Sequence, residues 1–220
     1  VNFPVEKLAD ALARRQIELP AEQIALMERY CEMLWQWNAK INLTRHTNYE
    51  KFVARDLVDS LVFAAFLAPG EKVLDVGTGG GVPGVLLAIL RPDLQVSLVD
   101  SVGKKVKVVS DIVERLGLKV PVFHARAEEL LNRQHFNTLV IRAVAALDKL
   151  LRWFSPHWQS FDRLLVLKGP AWVEERGKAR HLGLLKNLRL RLLKSYPLPG
   201  ADSKSVLLQI CPAERPEEKS

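Results

Sequence analysis

The segment Val73-Leu74-Asp75-Val76-Gly77-Thr78-Gly79-Gly80-Gly81-Val82-Pro83-Gly84 collects the residue types that let a backbone close on a small ligand. An apolar run enters it, glycines crowd the turn, and a helix is expected to start near Pro83. Glycine allows a sharp turn and a close backbone approach. The helix N-terminus that follows offers unpaired N–H groups and the positive end of its dipole. A dinucleotide fingerprint, Gly-x-Gly-x-x-Gly, fails when started at Gly77, because its last position is Val82. Started at Gly79 it fits Gly79, Gly81 and Gly84, but it leaves Asp75 and Gly77 without a role and puts Pro83 inside the turn. The pattern Asp-x-Gly-x-Gly-x-Gly fits Asp75, Gly77, Gly79 and Gly81 without strain.

That spacing is the first motif of enzymes that use S-adenosylmethionine, a ligand with an amino acid and a sulfonium in place of a pyrophosphate. Asp75 is expected to receive the ammonium group, through water where needed. Asp100 closes the next apolar run, Val96-Ser97-Leu98-Val99. Neighbouring strand ends meet at the ligand crevice of a doubly wound sheet, so an acid there can accept both ribose hydroxyls. The same placement serves NAD, so Asp100 indicates a nucleoside without choosing the cofactor. Arg126-Ala127-Glu128-Glu129 follows the third run, where backbone or carboxylate can face an adenine edge. A glycine turn or a strand-end Asp can also be purely structural. Three such features on successive strand ends favour a bound S-adenosylmethionine.

The acceptor determines what else the chemistry requires. Exocyclic amino methylation of bases usually shows Asn/Asp-Pro-Pro-aromatic after the fourth strand, and here that place reads Ile141-Arg142-Ala143-Val144-Ala145. Pyrimidine C5 methylation needs a cysteine nucleophile. Cys31 lies in an N-terminal helical stretch and Cys211 ends the last apolar run, and both read as packing residues. The five histidines show no nucleophile–base pattern. An acceptor such as guanine N7, which has a lone pair and no proton, needs positioning and desolvation instead of a base. Arg142 and Lys168 end the fourth and fifth strands and are the candidate catalytic cations, for positioning or for contact with phosphate or a base carbonyl. Either could instead pair with an acid such as Asp75 or Asp100.

These residues need a scaffold, and the rhythm of the chain supplies one. From Glu71 onward short apolar runs alternate with helical patterns: Lys72–Val76, Gln95–Val99, Val120–His124, Thr138–Ile141 and Arg163–Leu167. That alternation implies a parallel sheet with helices on both faces. Gly103–Leu116 carries Val106, Val109, Val113 and Leu116 on one face, with Gly117 placed to cap it. Leu188–Ser195 and Ser205–Ile210 have no helix between them and predict an antiparallel hairpin. The first third reads as helix: Pro20 suits a first turn, Ile24, Met27, Cys31 and Leu34 form a stripe, and a second helix over residues 48–67 should bury Phe52, Leu57, Leu61 and Val62. The expected fold is therefore α/β and Rossmann-like, of the class I methyltransferase kind. It has a mainly parallel seven-stranded sheet, a C-terminal antiparallel hairpin and an N-terminal helical extension. Residues 1–68 form the extension, 69–213 the methyltransferase domain and 214–220 a polar tail.

The chain has 220 residues, 48% of them hydrophobic, with a net charge of +7. Its pI of about 9.5 favours a polyanionic partner such as nucleic acid. Between Lys168 and Lys194 eight Lys or Arg stand against Glu174 and Glu175, which leaves that stretch at +6. No apolar run is long enough to span a bilayer, and nothing reads as a signal peptide. Two distant cysteines make neither a metal-ligand pair nor a disulfide framework, so no metal is expected. A reducing cytoplasm is the simplest location.

Taken in order, Asn42-Leu43-Thr44, the Asp75-to-Gly84 loop, Asp100-Ser101 with Lys104-Lys105, Ala127-Glu128-Glu129, Arg142-Ala143 and Leu167-Lys168-Gly169 resemble one family. It is the bacterial small-subunit ribosomal RNA guanine-N7 methyltransferases, also called glucose-inhibited division protein B. The resemblance runs from about Tyr30 to Pro212. It implies methyl transfer to N7 of one guanosine in a loop of 16S rRNA; the expected partner is 16S rRNA, free or within the small ribosomal subunit, and the expected form is a monomer. It implies cofactor contacts at Gly77, Val82, Ala127, Glu128 and Arg142, and N-terminal helices that help hold RNA. Asn42, Arg45, Arg55, Lys168, Arg176 and Lys178 are the expected RNA contacts. The family usually carries Arg-His-x-x-Asp-Ser where this chain reads Arg55-Asp56-Leu57-Val58-Asp59-Ser60, and Ser-Arg-Ala where it reads Ile141-Arg142-Ala143. A methyltransferase for a small molecule or protein, and a non-catalytic RNA-binding module, are the alternatives. A hydride-transfer enzyme ranks last.

Overall fold

The computed structural model describes residues 7–197 and 203–213. The segment 214–220 and part of the turn between the last two strands lie outside them. Two N-terminal helices, α1 (Leu8–Ala13) and α2 (Ala21–Asn38), precede a helical rod made of α3 (Tyr49–Lys51), a π-wound turn (Phe52–Leu57) and α4 (Val58–Ala64). Then strands and helices alternate: β1 (Lys72–Val76), α5 (Gly84–Leu90), β2 (Gln95–Asp100), α6 (Gly103–Leu116), β3 (Val122–His124), α7 (Ala127–Leu131), β4 (Phe136–Arg142), α8 (Leu147–Phe154), β5 (Phe161–Lys168) and α9 (Trp172–His181). β6 (Leu188–Pro197) and β7 (Lys204–Pro212) close the chain.

Among the described residues the strands form one seven-stranded sheet in the order β3-β2-β1-β4-β5-β7-β6. The pairs among β1 to β5 are parallel. β7 runs antiparallel to both β5 and β6. The order reverses at β1, so the carboxyl ends of β1 and β4 open a crevice between outward-turning connections. β3 starts at Val122, two residues later than the apolar run suggested. Pro121 has no N–H to give the ladder, although its carbonyl still accepts from Leu98 N at 2.8 Å.

Two apolar layers cover the sheet. One joins α1, α2 and α4 to α5 and α6, through Leu12, Met27, Tyr30, Phe52, Phe63, Leu86 and Ile112. The other packs α7 and α8 through Leu130, Leu147, Leu150, Leu151 and Phe154. The α8 residues fall at helical spacing, which puts one apolar stripe on the sheet. α6 ends as its sequence requires, with Gly117 left-handed at φ +70°.

The rod before β1 departs from a plain helix. Val58 N–H bonds back to Val53 O, five residues earlier, so the turn holds one residue more than an α-turn. That extra residue rotates the following face. Leu61 and Val62 end half-buried, and Phe63 and Ala64 take the core positions. Asp56 within the turn, and Asp59 and Ser60 after it, face inward, with exposures of 2%, 1% and 0%.

Candidate active site

The glycine loop is built from below by Asp75. Its carboxylate is fully buried, and Oδ2 accepts from Thr78 Oγ1 at 2.6 Å and from Gly84 N at 2.9 Å. Oδ1 has no partner. Burial raises the Asp75 pKa from 3.8 to about 6, against the lowering effects of Thr78, the Gly84 N–H and Arg142. This geometry places Asp75 beneath the loop and outside the lining of the adjoining cleft. The side chain points under the loop, with no exposed surface, because the turn from β1 into α5 needs an internal acceptor for Thr78 and Gly84.

Gly77 takes φ +68°, and a Cβ there would sit 2.8 Å from Val144 Cγ2. Only glycine lets the loop lie this close to the β4 end. α2 braces the loop from the other side: Tyr30 Oη donates to Gly80 O at 2.8 Å. Tyr30 is fully buried, which holds its hydroxyl well above the usual tyrosine pKa and keeps it a donor.

Asp100 stands opposite. Oδ2 accepts from Gly79 N at 3.0 Å and Oδ1 from Val102 N at 2.9 Å, which aims the carboxylate into a cleft. Gly77, Asp100, Ser101, Arg126, Ala127 and Glu128 line that cleft, with Trp153 and Phe154 on its apolar side. Gly79, Gly81 and Val82 belong to the loop and do not line the cleft. The donor set fits the nucleoside part of S-adenosylmethionine: an anchored carboxylate for a diol, an amide-and-carboxylate edge for adenine, and apolar walls for the ring. Bound there, the cofactor would be held by Gly77, Asp100, Ala127 and Glu128.

A second cleft of about 400 Å³ adjoins the first along Val144, which lines both. His46, Arg55, Asp59, Arg142, Lys168 and Glu175 supply its polar wall. Arg142 lines it, gripped by two buried acids. Its Nε donates to Asp59 Oδ2 at 2.8 Å and its Nη2 to Asp56 Oδ1 at 2.7 Å. Burial works against the guanidinium charge, but Asp56 and Asp59 outweigh it and raise the Arg142 pKa. The partners are therefore Asp56 and Asp59, not Asp75 or Asp100. Neither Asp56 nor Asp59 was among the expected site residues. The signal was present as two acids and a serine spaced along an otherwise apolar helical stretch.

Lys168 ends β5 with its ammonium engaged. Nζ pairs with Glu175 Oε2 at 2.7 Å and donates to Ala145 O at 2.5 Å, while Glu175 also accepts from Leu147 N. The ammonium thereby ties the Ala145 backbone to Glu175 on α9. A phosphate contact would have to displace Glu175.

The remaining expected RNA contacts scatter. Arg55 reaches the second cleft. Asn42 and Arg45 are exposed on the loop after α2, whose shape Asn38 fixes by accepting from Leu43 N and Thr44 N at 2.7 and 2.9 Å. Arg176 and Lys178 lie on α9 outside both clefts. Arg176 stacks over the Trp172 ring at 4.9 Å, and Lys178 pairs with Asp148 at 2.8 Å. Among the described residues no cluster of His, Cys, Asp or Glu could hold a metal ion.

Fold and clefts together define a Rossmann-like α/β domain with a cleft fitted to a nucleoside at the carboxyl ends of its strands. The fold is shared with the solved structure of M. capricolum TrmK in complex with S-adenosyl-homocysteine (TM-score 0.56, 12% identity, covering 74% of this chain and 71% of that one). It is also shared with an rRNA methylase from Streptococcus thermophilus (TM-score 0.52, 16% identity, covering 73% and 98%). Residues 23–195 match the family model of rRNA small subunit methyltransferase G. A ribosomal RNA small subunit methyltransferase G from Rhodopirellula baltica is 52% identical over 188 residues, covering 86% of this chain and 81% of the relative. That from Chromobacterium violaceum is 40% identical over 207 residues, covering 93% and 96%. The chain belongs to the rRNA small subunit methyltransferase G family.

Proposed function

We propose that this protein transfers a methyl group from S-adenosylmethionine to N7 of a guanosine in 16S rRNA. The observation that carries the reading is the meeting of two clefts at Val144, one fitted to a nucleoside and the other walled by charged groups. The bound cofactor supplies a methyl group activated by its sulfonium. Asp100 takes the ribose hydroxyls, Ala127 and Glu128 the adenine edge, and the Gly77 backbone the amino-acid part, with Arg142 in the second cleft beyond Val144. Guanine N7 offers a lone pair and no proton, so the site has to orient and desolvate it, with no base needed. His46, the histidine in the second cleft, is itself bonded to Asp56 at 2.9 Å. Within the 1–68 extension, the described helices from Leu8 onward close the acceptor side of the methyltransferase domain, 69–213. Asn42, Arg45, Arg55, Arg176 and, after exchange of its Asp148 partner, Lys178 meet the RNA backbone. The working form is a cytoplasmic monomer, and the substrate is 16S rRNA, naked or assembled in the small subunit.

The test supplies labelled S-adenosylmethionine with unmodified small subunits or naked RNA, then cleaves the RNA with borohydride and aniline. One N7-methylguanosine cleavage site is expected, and the better substrate form follows from the comparison. Label in a protein or small molecule instead would overturn the RNA reading. Cofactor binding without any transfer would leave a non-catalytic module.

A further inference from the structure

The outer edge of the sheet carries charge that neither cleft uses. β6 ends the strand order, so no strand among the described residues pairs with its far side. Residues 176–196 contain seven Lys or Arg and no Asp or Glu. Among the described residues only Lys178 of the seven is paired with a carboxylate, that of Asp148. Leu188 and Leu190 pack toward the layer of α7 and α8, and with Arg176, Arg180 and Lys186 they line a basin of about 530 Å³. Strand alternation sends Arg189 and Arg191, both exposed, to the opposite face. A bulge between Leu192 and Lys194 inserts one residue, which keeps exposed Lys194 on that same face. The strand then reaches Tyr196. Its hydroxyl donates to Asp59 Oδ1 and it pairs with Ser205, and both Asp59 and Ser205 line the second cleft. At about 3.3 Å per residue, the cationic row runs back from that cleft wall for roughly 20 Å.

We propose that the β6 edge, with the α9 basin beside it, is a second RNA surface that holds the phosphate backbone of the substrate outside the target loop. This rests on RNA being the substrate, as proposed above. Arg189, Arg191 and Lys194 follow one another at about 7 Å, the spacing of alternate strand residues, which is comparable with the separation of successive phosphates along an RNA strand. Guarding an open edge against pairing takes a charge or two. Six cations without a carboxylate partner, on both flanks of one strand, exceed that need and repel one another, so a polyanion is the partner they fit. The basin leucines give the long side chains an apolar bed, and Arg176 is held over the Trp172 ring at 4.9 Å. A small acceptor fills the second cleft without meeting this row. An RNA that continues past the cleft along β6 meets both. The surface therefore contributes equally to binding of substrate and transition state, and not to the methyl-transfer step.

The test uses the full chain, naked 16S rRNA and two double variants: Arg189→Gln with Arg191→Gln on the strand, and Arg180→Gln with Lys186→Gln at the basin. Each should lower the log–log salt slope of RNA binding by about 1.4, at about 0.7 for each phosphate no longer neutralised. KM for the RNA should rise while kcat holds, the mark of binding shared by ground and transition states. Arg189→Lys with Arg191→Lys should restore the slope, because a phosphate row needs the charge and not the guanidinium fork. S-adenosylhomocysteine titration and urea denaturation check that cleft and fold are intact. A wild-type slope in the strand variant would overturn the inference and leave those charges as guards of an open edge. A wild-type slope in the basin variant would do the same for the α9 side, and it stands as the deciding measurement if the strand variant loses its fold. A fall in kcat at unchanged KM, or a loss that lysine does not restore, would also overturn it. Wild-type protein that leaves N7 unlabelled would remove the methyl-transfer reading instead, and the salt slopes would still decide the surface.

Discussion

Asp75→Asn should change how stability depends on pH far more than stability itself. The native carboxylate is buried, with one oxygen unpaired and a pKa raised from 3.8 to about 6, chiefly by burial. A folded-state pKa above the unfolded value means the protonated form favours folding. That contribution is fully present below about pH 4 and is lost as pH rises through about 6. A shift of this size corresponds to roughly 3 kcal/mol at 1.36 kcal/mol per unit. Asparagine cannot ionise, but its amide nitrogen would fall where Oδ1 sits, which leaves a buried donor unpaired at a cost of about 1–3 kcal/mol. The two effects work in opposite directions. Below pH 4 the variant should be the less stable protein, and near pH 8 the two should be comparable or the variant ahead. Urea denaturation of both proteins at pH steps from 4 to 8 measures the difference. A difference that stays constant across the range would show that Asp75 meets solvent or a cation, and that the loop is not built on a buried acid.

Two further outcomes follow from the same geometry. Tyr30→Phe leaves the Gly80 carbonyl buried without its 2.8 Å donor and should cost about 1–3 kcal/mol. If the brace from α2 shapes the glycine loop, calorimetry should also show weaker cofactor binding, and unchanged binding would make the contact purely structural. Replacing Arg55 or Arg176 by glutamine should reduce the salt dependence of RNA binding by about 0.7 in log–log slope for each phosphate that is no longer neutralised. The Lys178→Gln change should do less, because its ammonium already holds Asp148 at 2.8 Å. Equal slopes for all three would place the RNA elsewhere.

The scaffold and the glycine loop are legible in the chain alone. Apolar runs alternating with helical stripes specify a parallel α/β sheet because burial on both faces of a strand needs continuous apolar residues. The absence of a helix between the last two runs specifies the hairpin that pairs β6 with β7. Glycines at 77, 79 and 81 announced a sharp turn, and all three take positive φ in it. These features are local, so spacing along the chain records them. What the chain could not reveal by spacing is direction. Asp75 and Asp100 both end apolar runs, yet one turns beneath the loop and the other into the cleft, because only the path from β1 into α5 requires an internal acceptor. Arg142 and Lys168 look alike as strand-end cations, yet Arg142 finds its partner Asp56 86 positions away and Lys168 reaches Ala145 across 23. The acids that hold Arg142 sit in and just after the π-wound turn, whose extra residue changes the phase of the helical rod there. A one-residue phase shift is invisible in an apolar pattern tolerant of either face, and it is settled only when the helix packs against the sheet.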